Sequence, residues 1–300
     1  MNRRTFTKIT VAGSLASTTG VALAADAKGK PFKSKFGPHY GQLPTAPKGY
    51  IDQMQFAYDL GFRGWEENWL TRRPKEIWEK VGEFCKDKGM SLGISVITTG
   101  HGLDFSNPGK EGLAKLEADM KKGIELAKAT GQTCMTFLPG CRNDKPREEQ
   151  IAKAVDSMKF CCDLVEDAGI ILVQEPLSHN ISKKPPLIRS FADGHLLCKL
   201  VNRKSCKLLA DFYHEGQIGF GGKLVENGEA AWDQIAYVQY GDSPGRKEPG
   251  TGKLELGDVT KWLRKKGYDG VIGMEHGVKG KKLGKQGLDD LIAAYRAIDA

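Results

Sequence analysis

The sequence predicts an α/β protein that forms a single-domain (β/α)8 barrel, and three observations support this fold class. Short apolar runs of strand length alternate with amphipathic stretches of helical length, which gives eight strand–helix units. No GxGxxG motif opens the first helix, as would be typical of a doubly wound open sheet. Polar residues end the apolar runs along the whole chain rather than at one switch point, which also favours the barrel. We therefore expect one domain over residues 34–300.

Each predicted strand is a short apolar run, and each predicted helix is an amphipathic stretch. The predicted strands cover residues 34–41, 62–68, 90–98, 132–140, 170–177, 206–214, 235–242 and 270–277. The predicted helices cover residues 48–60, 75–88, 110–130, 147–168, 186–203, 223–231, 256–266 and 286–298. Five helices are followed by a glycine directly before the next apolar run: Gly61, Gly89, Gly131, Gly169 and Gly267. Glycine adopts the left-handed conformation at little cost, so these positions predict helix C-termini.

The N-terminus has the three parts of a bacterial secretory signal. Arg3 and Arg4 precede a mildly apolar segment, which ends in a small-residue pattern at Ala24. The paired arginines indicate the twin-arginine export route. We therefore predict a twin-arginine-type signal peptide at residues 1–24 and a short tail at residues 25–33. The cleaved protein would be periplasmic, without stable membrane insertion.

Composition narrows the classes of partner. Apolar residues make up 40% of the chain, which allows a substantial core, and no apolar run has the length of a bilayer span. The net charge is +8, but acids are nearly as frequent as bases and the lysines are scattered. The densest basic segment, residues 278–287, is short and rich in glycine, so we expect no nucleic acid partner. The seven cysteines form no CxxC pair and predict mostly buried free thiols.

Four consecutive predicted strands end on a polar side chain, although strands covered on both sides should be apolar. These residues are Glu175, Asp211, Gln239 and Glu275. The carboxyl ends of barrel strands share one face, where such barrels place their chemistry. Three carboxylates in one pocket require a cation or shifted pKa values. Carboxylate and amide oxygens suit Mg²⁺ or Mn²⁺, while Zn²⁺ and Co²⁺ stay open.

Other polar residues follow the same pattern less closely. Glu66 and Glu67 end the second strand, His214 follows the sixth, and His101 and Arg142 follow the third and fourth. Their positions make them candidates for the same pocket. The alternative is a simple pairing with a neighbouring base for the two glutamates, and a packed structural side chain for His214.

The segment "VQYGDSPGRKEPGTGKLELGDV", residues 238–259, is rich in glycine and proline and could be a linker. It leaves the seventh strand directly after a predicted ligand, however. We therefore expect a shaped loop that holds Asp242, Arg246 and Glu248 over the pocket mouth.

Four stretches resemble the hydroxypyruvate isomerase family, of the sugar phosphate isomerase/epimerase type, within the xylose isomerase-like TIM barrels. They read "VQEPLS", "LLADFYHEGQ", "VQYGDSPGRKEPGTGK" and "GYDGVIGMEHG". The resemblance implies a divalent metal held by the four strand-end residues, with Glu175 and Glu275 as the acid/base pair. It also implies that His214 and Arg246 bind substrate oxygens, and Glu66 and His101 are further candidates for that role.

The resemblance implies a metal-dependent isomerase that interconverts hydroxypyruvate and tartronate semialdehyde, or a related small hydroxy-carbonyl compound or sugar, through an enediolate. A sugar or keto-sugar 3-epimerase and a cyclitol dehydratase stay open on the same residues. A non-catalytic periplasmic sugar-binding barrel also stays open, because Tyr237 and Lys253 stand where the family commonly has histidine and glutamate. An endonuclease is disfavoured, since the chain has six histidines and none at the four strand ends. A homo-oligomer is left open.

Overall fold

The computed structural model describes residues 29–98, 108–181, 183–220 and 223–300. The predicted signal peptide and His101 lie outside these residues. Every predicted strand and helix is present within them, with the boundaries moved by a few residues.

The strands are shorter than predicted, because only part of each predicted run pairs with a neighbouring strand. They are β1 Lys35–Gly37, β2 Gly64–Trp65, β3 Ser91–Leu92, β4 Cys134–Phe137, β5 Ile171–Gln174, β6 Cys206–Asp211, β7 Ile235–Gln239 and β8 Val271–Gly273. The helices are α1 Tyr50–Asp59, α2 Lys75–Lys88, α3 Gly109–Thr130, α4 Arg147–Val165, α5 Phe191–Val201, α6 Phe212–Glu215, α7 Leu224–Ala231, α8 Leu256–Lys265 and α9 Lys285–Ile298. The short helix α6 lies directly after β6, in a segment predicted as strand.

The strands form a parallel ring. Six strands pair in the order β1-β8-β7-β6-β5-β4, and β2 pairs with β3. Backbone hydrogen bonds connect the two groups: Glu66 N donates to Pro38 O at 3.1 Å, Ile97 N donates to Thr136 O at 3.1 Å, and Thr136 N donates to Ser95 O at 2.9 Å. All carboxyl ends of the strands therefore meet on one face of the barrel, as the sequence pattern requires.

The helix ends follow the local chemistry. All five glycines that predicted helix C-termini have positive φ, between 64° and 100°. Helix α5 begins five residues later than predicted, because Ser190 is extended and its side chain accepts the N–H of Asp193 at 3.2 Å. Pro185 and Pro186 disfavour a helix in the preceding segment, so α5 begins only after the Ser190 cap.

Two of the three apolar clusters among the described residues lie between and inside the strands. The larger one lies between the strands and the helices and includes Trp65, Phe36 and Tyr295. A smaller cluster, contributed by β5 to β8 and by the segment directly after β3, comprises Ile94, Val173, Leu209, Tyr237 and Val271. It fills the interior of the barrel, so that polar side chains at the strand ends have a dry floor below them.

The cysteines and the helices agree with the composition. Five of the seven cysteines, Cys85, Cys161, Cys162, Cys198 and Cys206, are buried free thiols, which confirms the prediction of mostly buried free thiols. Within the part of the chain that the structure describes, no helix has both the length and the apolar character of a bilayer span.

Candidate active site

A cavity of about 340 Å³ opens on the face formed by the carboxyl ends of the strands. Its lining includes four of the predicted site residues, Glu175, His214, Arg246 and Glu275. The rest of the lining is Asn68, Trp69, Val96, Thr98, Leu138, Leu177, His179, Asn180 and Ile181. A larger groove of about 870 Å³ lies between α2 and α3, but it does not contain the predicted acids.

Glu175, Asp211 and His214 converge at the floor of the cavity. One potential ligand atom from each lies within 4.8 Å of the others. His214 Nε2 is 3.8 Å from Glu175 Oε1 and 3.5 Å from Asp211 Oδ2. Asp211 ends β6 and also caps α6, since its Oδ1 accepts the N–H of Tyr213 at 2.8 Å. The turn from β6 into α6 therefore brings the acid and the histidine together.

Arg246 connects two of the acids. Its Nη2 lies 2.9 Å from Asp211 Oδ2 and 2.9 Å from Glu275 Oε2, and its Nε donates to the carbonyl of Glu275 at 2.9 Å. Arg246 has φ +47°, which is unusual for a residue with a Cβ. The guanidinium also lies 4.7 Å from the ring centre of Tyr213. The backbone bend at Arg246 turns its side chain back over the strand ends.

The pKa values of the acids are raised mainly by burial. Burial, and then the charges of Glu275 and Asp211, hold the pKa of Glu175 well above its usual range. Burial raises the pKa of Asp211 to about 7, although Arg246 opposes the shift. Burial likewise raises the pKa of Glu275, again against Arg246. Three acids and one guanidinium leave net negative charge, so the fully ionised cluster requires a further cation.

His214 is fixed as a hydrogen-bond donor toward the cavity. Its Nδ1 accepts the N–H of Ser178 at 3.3 Å and lies 2.8 Å from the Ser178 hydroxyl. The neutral ring therefore carries its proton on Nε2. Burial and the nearby Arg246 hold the pKa of His214 well below its usual range, which keeps the ring neutral. A protonated Nε2 suits a substrate oxygen better than a metal ion.

Gln239 and Glu66 lie below the cavity lining. Gln239 Nε2 donates to both carboxylate oxygens of Glu66 at 3.2 Å, and the Tyr237 hydroxyl donates to Glu66 Oε2 at 2.7 Å. Gln239 Oε1 is buried and has no hydrogen-bond partner among the residues that the structure describes. Burial, followed by the charge of Glu275, holds the pKa of Glu66 well above its usual range.

The donor set suits a hard divalent cation. Glu175, Asp211 and Glu275 supply carboxylate oxygens, and Gln239 supplies a buried amide oxygen without a partner. Oxygen ligands of this kind are those that Mg²⁺ and Mn²⁺ prefer. These four residues, rather than His214, could therefore hold a metal.

The loop after β7 is held in one shape, as expected. The Asp242 carboxylate accepts three backbone N–H groups, from Gly250 at 2.8 Å, Gly252 at 2.8 Å and Leu254 at 3.0 Å. Glu248 accepts the N–H of Lys279 at 2.9 Å, which connects the loop to the segment after β8. The two acids are structural anchors, and only the arginine between them reaches the cavity.

The remaining candidates are placed differently. Glu67 pairs with the Tyr50 hydroxyl at 3.3 Å and with Arg73 at 3.8 Å, which matches the alternative of a simple pairing partner. Arg142 does not contribute to the cavity lining. His101 lies outside the described residues.

Sequence reasoning missed several residues of the lining. Asn68 Nδ2 donates to Glu275 Oε1 at 3.2 Å and orients one of the predicted acids. Leu138, Leu177 and Ile181 form an apolar cluster on one side of the cavity. Asn68 directly follows the acids of the second strand, and this position could have identified it. The apolar residues carried no comparable sign.

Fold and site together define a class, a (β/α)8 barrel with a carboxylate-rich pocket at the carboxyl ends of its strands. The chain belongs to the xylose isomerase-like TIM barrel family, whose model matches residues 54–297. The wider family predicted from the four stretches, the xylose isomerase-like TIM barrels, is therefore confirmed.

The individual relatives share 30% or less of their aligned residues with this chain. A putative hydroxypyruvate isomerase of Streptomyces coelicolor is 30% identical over 176 residues, which are 57% of this chain and 62% of that protein. The chain thus matches less than two thirds of that relative. A 2-oxo-tetronate isomerase of Haemophilus influenzae is 24% identical over 245 residues, which are 80% of this chain and 92% of that protein. The crystal structure of an AP endonuclease, family 2, from Brucella melitensis has a TM-score of 0.71 at 19% identity, covering 84% of this chain and 96% of that chain, and shows the fold alone.

Proposed function

We propose that the protein is a metal-dependent isomerase of small hydroxy-carbonyl compounds, and that hydroxypyruvate and 2-oxo-tetronate are the first substrates to test. The observation that carries the proposal is a cavity with Glu175 and Glu275 in its lining and the buried Asp211 between their strands. The relatives from Streptomyces and Haemophilus, named for those two substrates, support it.

The chemistry requires removal of a carbon-bound proton and its return to the neighbouring carbon. A divalent cation held by Glu175, Asp211, Gln239 and Glu275 would stabilise the charge of an enediolate as a Lewis acid. One of the two lining glutamates takes the proton and the other returns one, because they come from β5 and β8 and reach the cavity from different strands. Burial raises the pKa of both glutamates, which is the direction that favours taking up and releasing a proton over permanent ionisation.

Two further residues would bind the substrate. His214 presents Nε2–H to the floor of the cavity and donates to a hydroxyl or carbonyl oxygen. Arg246 presents a guanidinium to the same space, and a planar fork of donors suits a substrate carboxylate. His101, outside the described residues, remains a predicted substrate contact.

A sugar or keto-sugar epimerase is the second candidate, and one observation favours it. The cavity of about 340 Å³ has an apolar side made of Leu138, Leu177 and Ile181, which a three-carbon acid would not fill. Epimerisation beside a carbonyl uses the same proton transfer, so the same glutamates serve both reactions. A panel of three- to six-carbon hydroxy-carbonyl compounds separates the two.

Proton exchange tests the proposal directly. Protein loaded with Mn²⁺ is incubated with each substrate in D₂O, and NMR follows deuterium at the carbon beside the carbonyl. We expect exchange in the wild type and its loss in Glu175→Gln and in Glu275→Gln. Glu215→Gln is the matched control, because Glu215 is a buried acid that binds Phe191 N at 2.9 Å outside the cavity. Exchange that survives either glutamine variant contradicts the acid/base assignment, and no exchange in the wild type with any compound favours a binding protein.

We also propose export by the twin-arginine route, supported by Arg3 and Arg4 in the sequence. A fusion of residues 1–30 to a reporter, compared with its Arg3→Lys, Arg4→Lys double variant, tests this proposal in a bacterial host. Equal export of both fusions contradicts it.

A further inference from the structure

We propose that Glu66 is a positioning residue, which fixes the amide of Gln239 so that its carbonyl oxygen is turned toward the metal ligands. The inference rests on the proposed function and gives a different role to a residue first expected to bind substrate. Glu66 is fully buried and does not line the cavity, so substrate does not reach it without a rearrangement.

Glu66 is the acceptor in its hydrogen bonds with Tyr237 and Gln239. The Tyr237 hydroxyl and the Gln239 amide both point donors at its carboxylate, at 2.7 Å and 3.2 Å. Both Glu66 oxygens accept hydrogen bonds here, and an ionised carboxylate only accepts, so in this form it attracts the NH₂ end of the amide and repels the oxygen end. The orientation of Gln239 is thereby decided, although its two ends have nearly the same shape.

The free end of Gln239 lies beside a predicted ligand. Gln239 and Asp211 are partners in the parallel ladder of β6 and β7, so their side chains point to the same face of the sheet. Asp211 faces the acid cluster, and Gln239 Oε1 is buried without a hydrogen-bond partner in the described part of the chain. A buried acceptor without a partner is costly, which a bound cation would correct.

The barrel makes room for this carboxylate. A Cβ placed on Gly273 of β8 would overlap the carboxylate of Glu66, so only glycine at this position lets the acid reach Gln239. Tyr237 extends from the interior apolar cluster and supplies the second anchor from below. Residues on or next to β2, β7 and β8 thus hold the side-chain amide of Gln239 in one orientation.

The test measures Mn²⁺ affinity of chelator-stripped protein, by electron paramagnetic resonance of the free ion, and so does not depend on turnover. We expect Glu66→Leu to weaken Mn²⁺ binding by about 10- to 100-fold, the usual effect of losing an outer partner of a ligand. Glu66→Gln keeps one carbonyl acceptor and should recover part of the affinity. In a Gln239→Ala background, Glu66→Leu should have no further effect, because the residue acts through the amide.

Tyrosine variants provide a second test if Glu66→Leu does not fold. Tyr237→Phe should weaken Mn²⁺ binding, whereas Tyr240→Phe should not, because the Tyr240 hydroxyl contacts Thr260 Oγ1 at 3.0 Å away from Glu66. Each variant removes one buried tyrosine hydroxyl near the end of β7, so loss of stability alone would affect them alike.

The outcomes separate the two proposals. If the wild type binds no Mn²⁺, the metal site of the proposed function is wrong, and the role of Glu66 is wrong with it. If the wild type binds Mn²⁺ but Tyr237→Phe and the Glu66 variants bind equally well, the positioning role alone is overturned. An undiminished effect of Glu66→Leu in the Gln239→Ala background also overturns it.

Discussion

Replacing Asp242 with alanine should loosen the loop after β7 and lower both stability and activity. The carboxylate is 1% exposed and accepts three backbone N–H groups across residues 250–254. Each bond to a charged acceptor contributes at least about 1 kcal/mol, so the ordered loop loses about 3 kcal/mol. For a domain of this size that corresponds to a fall in Tm of about 6–12 °C.

The activity should fall because the same loop carries Arg246. If the loop of the variant must be re-ordered when substrate binds, at a cost of up to about 3 kcal/mol, kcat/KM drops by at most about a hundredfold. Thermal unfolding by circular dichroism gives the first quantity, and initial rates with the substrate found in the D₂O panel give the second.

Lys253→Ala is the control for both measurements, since Lys253 is an exposed residue of the same loop. A Tm for Asp242→Ala within about 1 °C of the wild type would refute the reasoning, because three lost bonds to a buried acid cannot be that small. A normal Tm for the control together with unchanged kcat/KM for Asp242→Ala would show that the loop does not position the arginine.

Three further predictions concern other parts of the molecule. Burial raises the pKa of Cys85 to about 12 and that of Cys134 to about 11. The fraction of each thiol that is ionised is therefore small at pH 8 and grows as the pH approaches those values. Alkylation of the native protein, followed by mass spectrometry, should show little labelling at pH 8 and full labelling in denaturant. Gly273→Ala should displace Glu66 and weaken Mn²⁺ binding in the same titration, and unchanged affinity would contradict the packing. Ser190→Ala should lower the free energy of unfolding by about 1 kcal/mol through loss of the α5 cap, measured by urea unfolding, and no loss would show that water replaces the cap.

The sequence predicted the structure well where a residue type has a single common role in its local context. Glycines after helices and acids at the ends of apolar runs identified the barrel and its face, because both depend on local backbone or on the cost of burying charge. The helix end at Gly89 and the position of Glu175 in the cavity lining follow from such signs.

Contacts between distant parts of the chain could not be predicted in this way. Glu66 meets Gln239 across 173 positions, and Asn68 meets Glu275 across 207. Which of several acids faces the cavity, and which lies beneath it, depends on the tilt of the strands and on the space at Gly273. The apolar side of the cavity was missed for another reason, since leucine in a loop resembles leucine in the core.

The apolar side of the cavity is partly separate in sequence from the acids, and this separation affects how the protein can change. Leu138 follows β4 and Ile181 lies six residues beyond Glu175, whereas Arg246 and Glu275 follow β7 and β8. Substitutions at Leu138 and Ile181 can therefore reshape the space around a substrate without replacing an acid. For a designer, libraries limited to these two positions would change substrate size while Glu175 and Glu275 stay constant.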